Sequence, residues 1–115
     1  MNLVMITIDC QEPSSLARWY VDALGGEIVR DVEGMFVMAD VAGTRLGFQK
    51  VDVDALAPGK NRLHIDFHTE DDLSETVGAI VAKGARKHED FEMPGLKWVT
   101  LEDPEGNVFD VGHTD

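Results

Sequence analysis

Cysteine occurs once in these 115 residues, at Cys10, so no internal disulfide can form and no cysteine-rich zinc site can be built. Cys10 itself reads as a small buried strand residue, a common setting for a free thiol. Positive charge is also scarce. Ten Lys and Arg face twenty-two Asp and Glu, for a net charge of −12. Both halves share the deficit, with nine acidic against four basic residues in 1–57 and thirteen against six in 58–115. Without a face-sized basic cluster, nucleic acid and anionic membranes are expected to be repelled, and the charge to serve solubility. No apolar run approaches the ~20 residues that span a bilayer, and no basic-then-apolar leader opens the chain. The expectation is a cytoplasmic protein. A nucleophilic constellation is missing too: Ser14, Ser15 and Ser74 fall at helix starts, where capping accounts for serine. Neither Gly25-Gly26 nor Gly43 has phosphate-loop spacing.

What is present is an ordinary globular composition, 43% apolar and 28% charged, sized for one domain or two small repeats sharing a core. Residues 2–9 alternate, with Val4, Ile6 and Ile8 on one face and Met5, Thr7 and Asp9 on the other, which predicts a strand. Pro13 opens a helix whose stripe is Leu16, Trp19, Tyr20, Ala23 and Leu24, and Gly25-Gly26 ends it. Trp19 is expected in the core. Strands are predicted at 27–30, 35–39 and 45–51, and residues 52–62, with Pro58-Gly59-Lys60-Asn61, read as a connector.

The pattern then restarts. Leu63, Ile65 and Phe67 alternate with His64, Asp66 and His68; Thr69-Glu70-Asp71-Asp72 suggests a capping box; Leu73, Val77, Ile80 and Val81 form a helical stripe before Gly84. Strands at 85–88, 96–101 and 107–111 follow, the last two flanking the turn Asp103-Pro104-Glu105-Gly106-Asn107. Glu92-Met93-Pro94-Gly95 reads as a flexible segment. At an offset of 59, Met5 falls on His64, Glu12 on Asp71 and Gly25 on Gly84; at 63, Asp40 falls on Asp103 and Gly47 on Asp110. The fold class is therefore α+β: two tandem βαβββ modules, 1–51 and 63–115.

Three stretches carry a family resemblance: Glu12 to Tyr20 with Leu24-Gly25, Leu63-His64-Ile65-Asp66-Phe67, and Trp98 to Asn107. In their order and spacing the chain resembles the vicinal oxygen chelate superfamily of glyoxalases, bleomycin- and fosfomycin-resistance proteins and extradiol dioxygenases, and within it the short glyoxalase-like branch. The resemblance implies a single domain over residues 1–115, its eight strands forming a cupped mixed sheet around a cleft, and commonly a homodimer. It also implies a divalent metal on four strand positions, which here are Met5, Gly47, His64 and Asp110. Glycine supplies no ligand, and a thioether suits soft ions rather than Mg²⁺, Mn²⁺, Fe²⁺ or Zn²⁺. Half of that inherited set is gone.

Strand alternation places Thr7 and Asp9 beside Met5, Gln49 beside Gly47, and Asp66 and His68 beside His64. The expected ligand-binding residues are thus Met5, Thr7, Asp9, Gln49, Asp66 and His68, with Trp98 at a cleft rim, where an amphipathic ring can stack on a ligand. His64 and Asp110 are the expected catalytic or ligand-orienting pair. His64 has three readings: a hydrogen-bonded histidine in the cleft floor, a metal-free acid–base or binding group, or a metal ligand with Asp110 and Asp66. His88 and His113 read as surface residues. The expected function is small-molecule binding or sequestration with no cofactor, and the ligand's identity is beyond the residues. The alternative is a metal-dependent lyase or isomerase with a rearranged site around His64 and Asp110.

Overall fold

A computed structural model of the chain describes residues 3–55 and 63–114; the expected turn Pro58-Gly59-Lys60-Asn61 lies outside them. The chain divides into two compact units, Met1–Pro58 and Gly59–Asp115. In the first, β1 (Ile6–Cys10) leads into α1 (Pro13–Leu24), then β2 (Gly26–Val32), β3 (Phe36–Val41) and β4 (Thr44–Lys50). A short 3₁₀ turn follows at Val53–Ala55. In the second, β5 (Ile65–His68) leads into α2 (Leu73–Ala82), then β6 (Arg86–Met93), β7 (Leu96–Glu102) and β8 (Val108–Thr114). Each unit forms a four-stranded mixed sheet, ordered β1-β4-β3-β2 and β5-β8-β7-β6. The two tandem βαβββ modules are therefore as expected. In each, the first strand pairs in parallel with the last, which requires the long crossover that the helix supplies.

The first core lies between α1 and its sheet. Leu16, Ala17 and Tyr20 from the helix meet the buried face of β3 and β4, where Val37, Ala39, Val41, Leu46 and Phe48 are fully excluded from solvent. Tyr20 packs its ring 5.5 Å from that of Phe48, and burying one such side chain is worth roughly 1.5–3 kcal/mol. Trp19, expected in the core, is half-buried and meets Tyr20 edge-on at 5.0 Å. The inward stripe instead runs Pro13, Leu16, Ala17, Tyr20. In the second unit Val77 and Ile80 of α2 cover Val99, Leu101, Phe109 and Val111.

Local chemistry departs from expectation in four places. Strand β1 starts at Ile6, leaving Val4 exposed, and Leu63 is likewise exposed before β5. The α2 cap is Asp72, whose carboxylate accepts from the Glu75 amide at 2.9 Å, three residues beyond the Thr69 that was expected to begin the capping box. Ser14 caps nothing: its hydroxyl donates to Asp31 at 2.7 Å. Strand β6 runs through Met93 and closes on β7 by a tight Pro94-Gly95 turn, so the supposed flexible segment is strand and hairpin.

Two features set the sheet faces. Register shifts occur in both middle hairpins, between Ile28 and Arg30 on β2 and between Lys87 and Glu89 on β6. The extra residues, Val29 and His88, are related by the same offset of 59, and a bulge of this kind reverses which side chains face which side beyond it. The β7–β8 turn is locked by Asp103, only 4% exposed, whose carboxylate accepts from the amides of Glu105 and Asn107 at 2.8 and 3.0 Å.

Candidate functional site

Strand pairing in the second unit aligns side chains in transverse rows. Asp66 on β5 lies opposite Asp110 on β8, Asp110 opposite Thr100 on β7, and Thr100 opposite Glu89 on β6. The next row along the strands is His68, Gly112, Trp98 and Phe91. One row is polar and acidic, its neighbour aromatic. Together they line a cavity of about 530 Å³ whose floor includes His64, Asp66, Thr100 and Asp110 and whose walls include Phe91 and Trp98. Leu96 and Phe67 add apolar surface, and among the described residues no Lys or Arg lines it. A volume of this order with apolar walls and a few convergent polar groups is what small-molecule sites offer.

Asp110 is the buried anchor of the floor, 7% exposed. It accepts a hydrogen bond from the Thr100 hydroxyl at 2.5 Å, and its second oxygen lies 3.4 Å from His64 Nδ1. The pair orients the imidazole through Nδ1 and leaves Nε2, which meets no partner among the described residues, to face a ligand. Asp66 shares the space. Its carboxyl is pushed above the ordinary carboxylate value, first by desolvation and then by the hydrogen bonding and charge of Asp110, with His64 pulling the other way. Two carboxylates so close disfavour full ionisation of both.

The walls are equally ordered. Phe91 stacks on Trp98 with ring centroids 5.0 Å apart and planes 10° from parallel. Between His68 and Trp98 the row has no side chain, because Gly112 occupies it. A Cβ there would meet the Lys97 carbonyl oxygen at 3.3 Å and Trp98 Cβ at 3.5 Å. His68 holds the cavity's edge, its Nε2 3.1 Å from the Thr114 hydroxyl. It stacks on His113 at 6.0 Å. His113 was expected at the surface, but it is half-buried, with Nδ1 2.8 Å from the Thr69 carbonyl oxygen. His88 lies 3.3 Å from Glu102 at the surface.

The expected residues of the first unit gather around a different feature. Thr7 pairs with Gly47, and Asp9 with Gln49. A Cβ on Gly47 would lie 2.9 Å from each of Met5 Sδ, Phe36 Cζ and Thr7 Oγ1. The space a side-chain ligand would need is taken by a thioether, an aromatic ring and a hydroxyl. Met5 and Gly47 therefore do not fit a hard or borderline ion. His64, Asp66 and Asp110 do: each offers one donor atom, and these lie within 4.8 Å of one another.

Sequence reasoning placed His64, Asp66, His68, Trp98 and Asp110, which share the cavity. It missed Thr100, Phe91, Leu96, Phe67 and Gly112. Thr100 was within reach, since alternation from Trp98 puts it on the same face. Phe91 was not, because its orientation depends on the His88 bulge, for which the residues carry no signal.

Residues 5–112 match the family described as glyoxalase-like domain. No curated protein matches the chain significantly. Among solved structures, a glyoxalase/bleomycin resistance protein/dioxygenase family enzyme from Burkholderia phytofirmans superposes with a TM-score of 0.84 at 18% identity, covering 100% of both chains. Lactoylglutathione lyase from Agrobacterium tumefaciens gives 0.73 at 19%, covering 97% of this chain and 92% of the other. A variant of the fosfomycin resistance protein FosX from Listeria monocytogenes, complexed with Mn(II) and 1S,2S-dihydroxypropylphosphonic acid, gives 0.79 at 15%, covering 96% and 87%. At these identities the likeness is one of fold.

Proposed function

Because this chain belongs to the family of glyoxalase-like domains, we propose that it binds a small organic molecule in the second unit's cavity, without the complete metal set the superfamily resemblance implies. It would act as a binding or sequestering protein of the resistance type. The observation that carries this reading is the closed position at Gly47, where Met5, Phe36 and Thr7 leave no room for a side-chain ligand. Binding then falls to the cavity itself. Its walls shed water onto an apolar ligand body, and the floor supplies direction through Asp66 and the His64–Asp110 pair. Thr100 fixes Asp110, Asp110 fixes the imidazole, and His64 Nε2 donates or accepts one hydrogen bond to the ligand.

A second reading rests on the clustering of His64, Asp66 and Asp110. These three residues would hold a divalent ion, which when bound supplies Lewis acidity to a substrate oxygen, as a lyase or isomerase of glyoxalase type requires. Thr100 would then orient one ligating carboxylate, a supporting role that metal sites commonly depend on.

Elemental analysis of protein purified without chelator or affinity tag separates the two readings. Less than a tenth of an equivalent of divalent ion per chain is expected, and one tightly held ion per chain would overturn the first reading. The variant His64→Ala sharpens the test. Metal-free binding predicts an unchanged melting temperature with ligand affinity weakened by roughly 1.5–3 kcal/mol, the worth of a hydrogen bond to a charged group. Destabilisation without selective loss of binding would return His64 to a packing role.

A further inference from the structure

We infer that the molecule this cavity takes is an organic cation: a flat apolar body carrying an ammonium or guanidinium group. The inference rests on the reading that the cavity is a small-molecule site, and it names the chemistry of what enters. Two adjacent rows of the sheet divide the work. The acidic row sets Asp66, Asp110 and Glu89 across the four strands with the Thr100 hydroxyl among them, and the aromatic row beside it carries Trp98 and Phe91.

Charge decides the sign of the ligand. Among the described residues the cavity's lining holds two carboxylates and no Lys or Arg. The described groups there that can carry positive charge are the imidazoles of His64 and His68, and His64 already faces Asp110. Asp110 is more than nine-tenths buried and is met by the Thr100 hydroxyl, His64 and the carboxyl of Asp66. A donor-rich cation placed between Asp66 and Asp110 relieves their mutual repulsion and forms charge-assisted hydrogen bonds. A phosphonate, a carboxylate or a glutathione conjugate would meet the same two groups as like charges, so anionic ligands are disfavoured unless an ion intervenes.

Shape decides the rest. Gly112 leaves a slot in the aromatic row between His68 and Trp98, and Phe91 braces the Trp98 ring from one side. A flat body seated there lies within one row of the carboxylates, and an aromatic face attracts a cation as well as apolar surface. The chain's overall charge of −12 draws such a ligand from a distance.

The test uses three probes with one naphthalene body, namely naphthylmethylammonium, naphthylmethanol and naphthoate, titrated calorimetrically into EDTA-treated full-length protein. The ammonium should bind about tenfold tighter than the alcohol, and naphthoate at least tenfold weaker than the alcohol, the scale of one charge-assisted contact. Asp66→Asn should bring the ammonium to within about threefold of the alcohol, whereas Trp98→Ala should weaken both. Asp66 is exposed, so its variant is expected to fold even if Asp110→Asn does not. Equal binding of ammonium and alcohol overturns the inference while leaving the cavity as a ligand site. Failure of all three probes to bind overturns both readings together. Preference for naphthoate on addition of Mn²⁺ overturns the inference in favour of the metal-dependent alternative.

Discussion

Replacing Gly47 by alanine asks whether the first unit's share of the superfamily's metal positions is physically closed. The added Cβ would lie 2.9 Å from Met5 Sδ, Phe36 Cζ and Thr7 Oγ1, each inside ordinary van der Waals distance. The Met5 thioether ends a flexible side chain, but the Thr7 hydroxyl sits on a β-branched side chain that is stiff at χ1, and the Phe36 ring is rigid. Overpacking of this kind costs roughly 1–3 kcal/mol. Against it stands a gain of about 0.4–1 kcal/mol, because alanine restricts the unfolded chain more than glycine does. Gly47 has no positive φ, so no backbone strain is added. The net is a destabilisation of about 1–2 kcal/mol, read as a melting temperature lower by several degrees for a chain of this size. A second variant locates the cause. Combining Gly47→Ala with Met5→Ala should cost less than the two single changes added together, since the atoms compete for one space. Gly47→Glu, which restores a carboxylate where the resemblance implies a ligand, should be worse than alanine. If Gly47→Ala melts at or above the wild-type temperature, the position is open and the argument for an incomplete metal set fails.

The folded chain holds a proton on Asp66 to a higher pH than the unfolded chain, because that carboxyl's value is raised. The group's contribution to stability is therefore full in acid and lost as pH rises through the raised value. Asp66→Asn should raise the melting temperature at neutral pH and give a gain that shrinks towards pH 3.8 and below; a gain independent of pH contradicts the assignment. Asp103→Ala removes the acceptor for two amides in a buried turn and should cost roughly 2–3 kcal/mol in chemical denaturation. A loss under half of that would mean that other groups hold the turn. Light scattering is expected to report a homodimer, covering the open edges that small sheets expose, and a mass near 12.7 kDa at tens of micromolar would exclude it.

The modular architecture was legible because glycine and helical stripes mark the same sequence of elements twice. Helix α1 falls on Pro13 to Leu24, bracketed by a proline suited to a first turn and a glycine beyond the last. Strand β6 was legible only at its start, expected at 85–88, and not in its continuation to Met93. Arg86 to Met93 is a charged run with one aromatic, and it is strand by virtue of pairing with β7 rather than through any alternation of its own. The same division holds for the site. His64, Asp66 and His68 could be placed because strict alternation on one strand needs no partner. The rows that join Asp66 to Thr100 and Gly112 to Phe91 are properties of register, which no single strand encodes. The crowding at Gly47 escaped for a similar reason, since Phe36 reaches it from a neighbouring strand.

The bulge at His88 makes the character of the ligand cavity a matter of counting. With the extra residue, Phe91 stands opposite Trp98 and Asp90 opposite Val99. Were His88 instead absorbed into regular pairing opposite Thr100, with the pairing kept near Arg86 and Lys87, every later residue of β6 would move one place along β7. Asp90 would then oppose Trp98, and Phe91 would turn to the other side of the sheet. The bulge thus holds an aromatic wall where a regular register of the same residues would set an acidic one, without altering any residue of the floor. Whether the extra residue is bulged or paired, at this position and at Val29 in the first unit, is accordingly a route by which one scaffold can change what it admits while its helices and turns stay as they are.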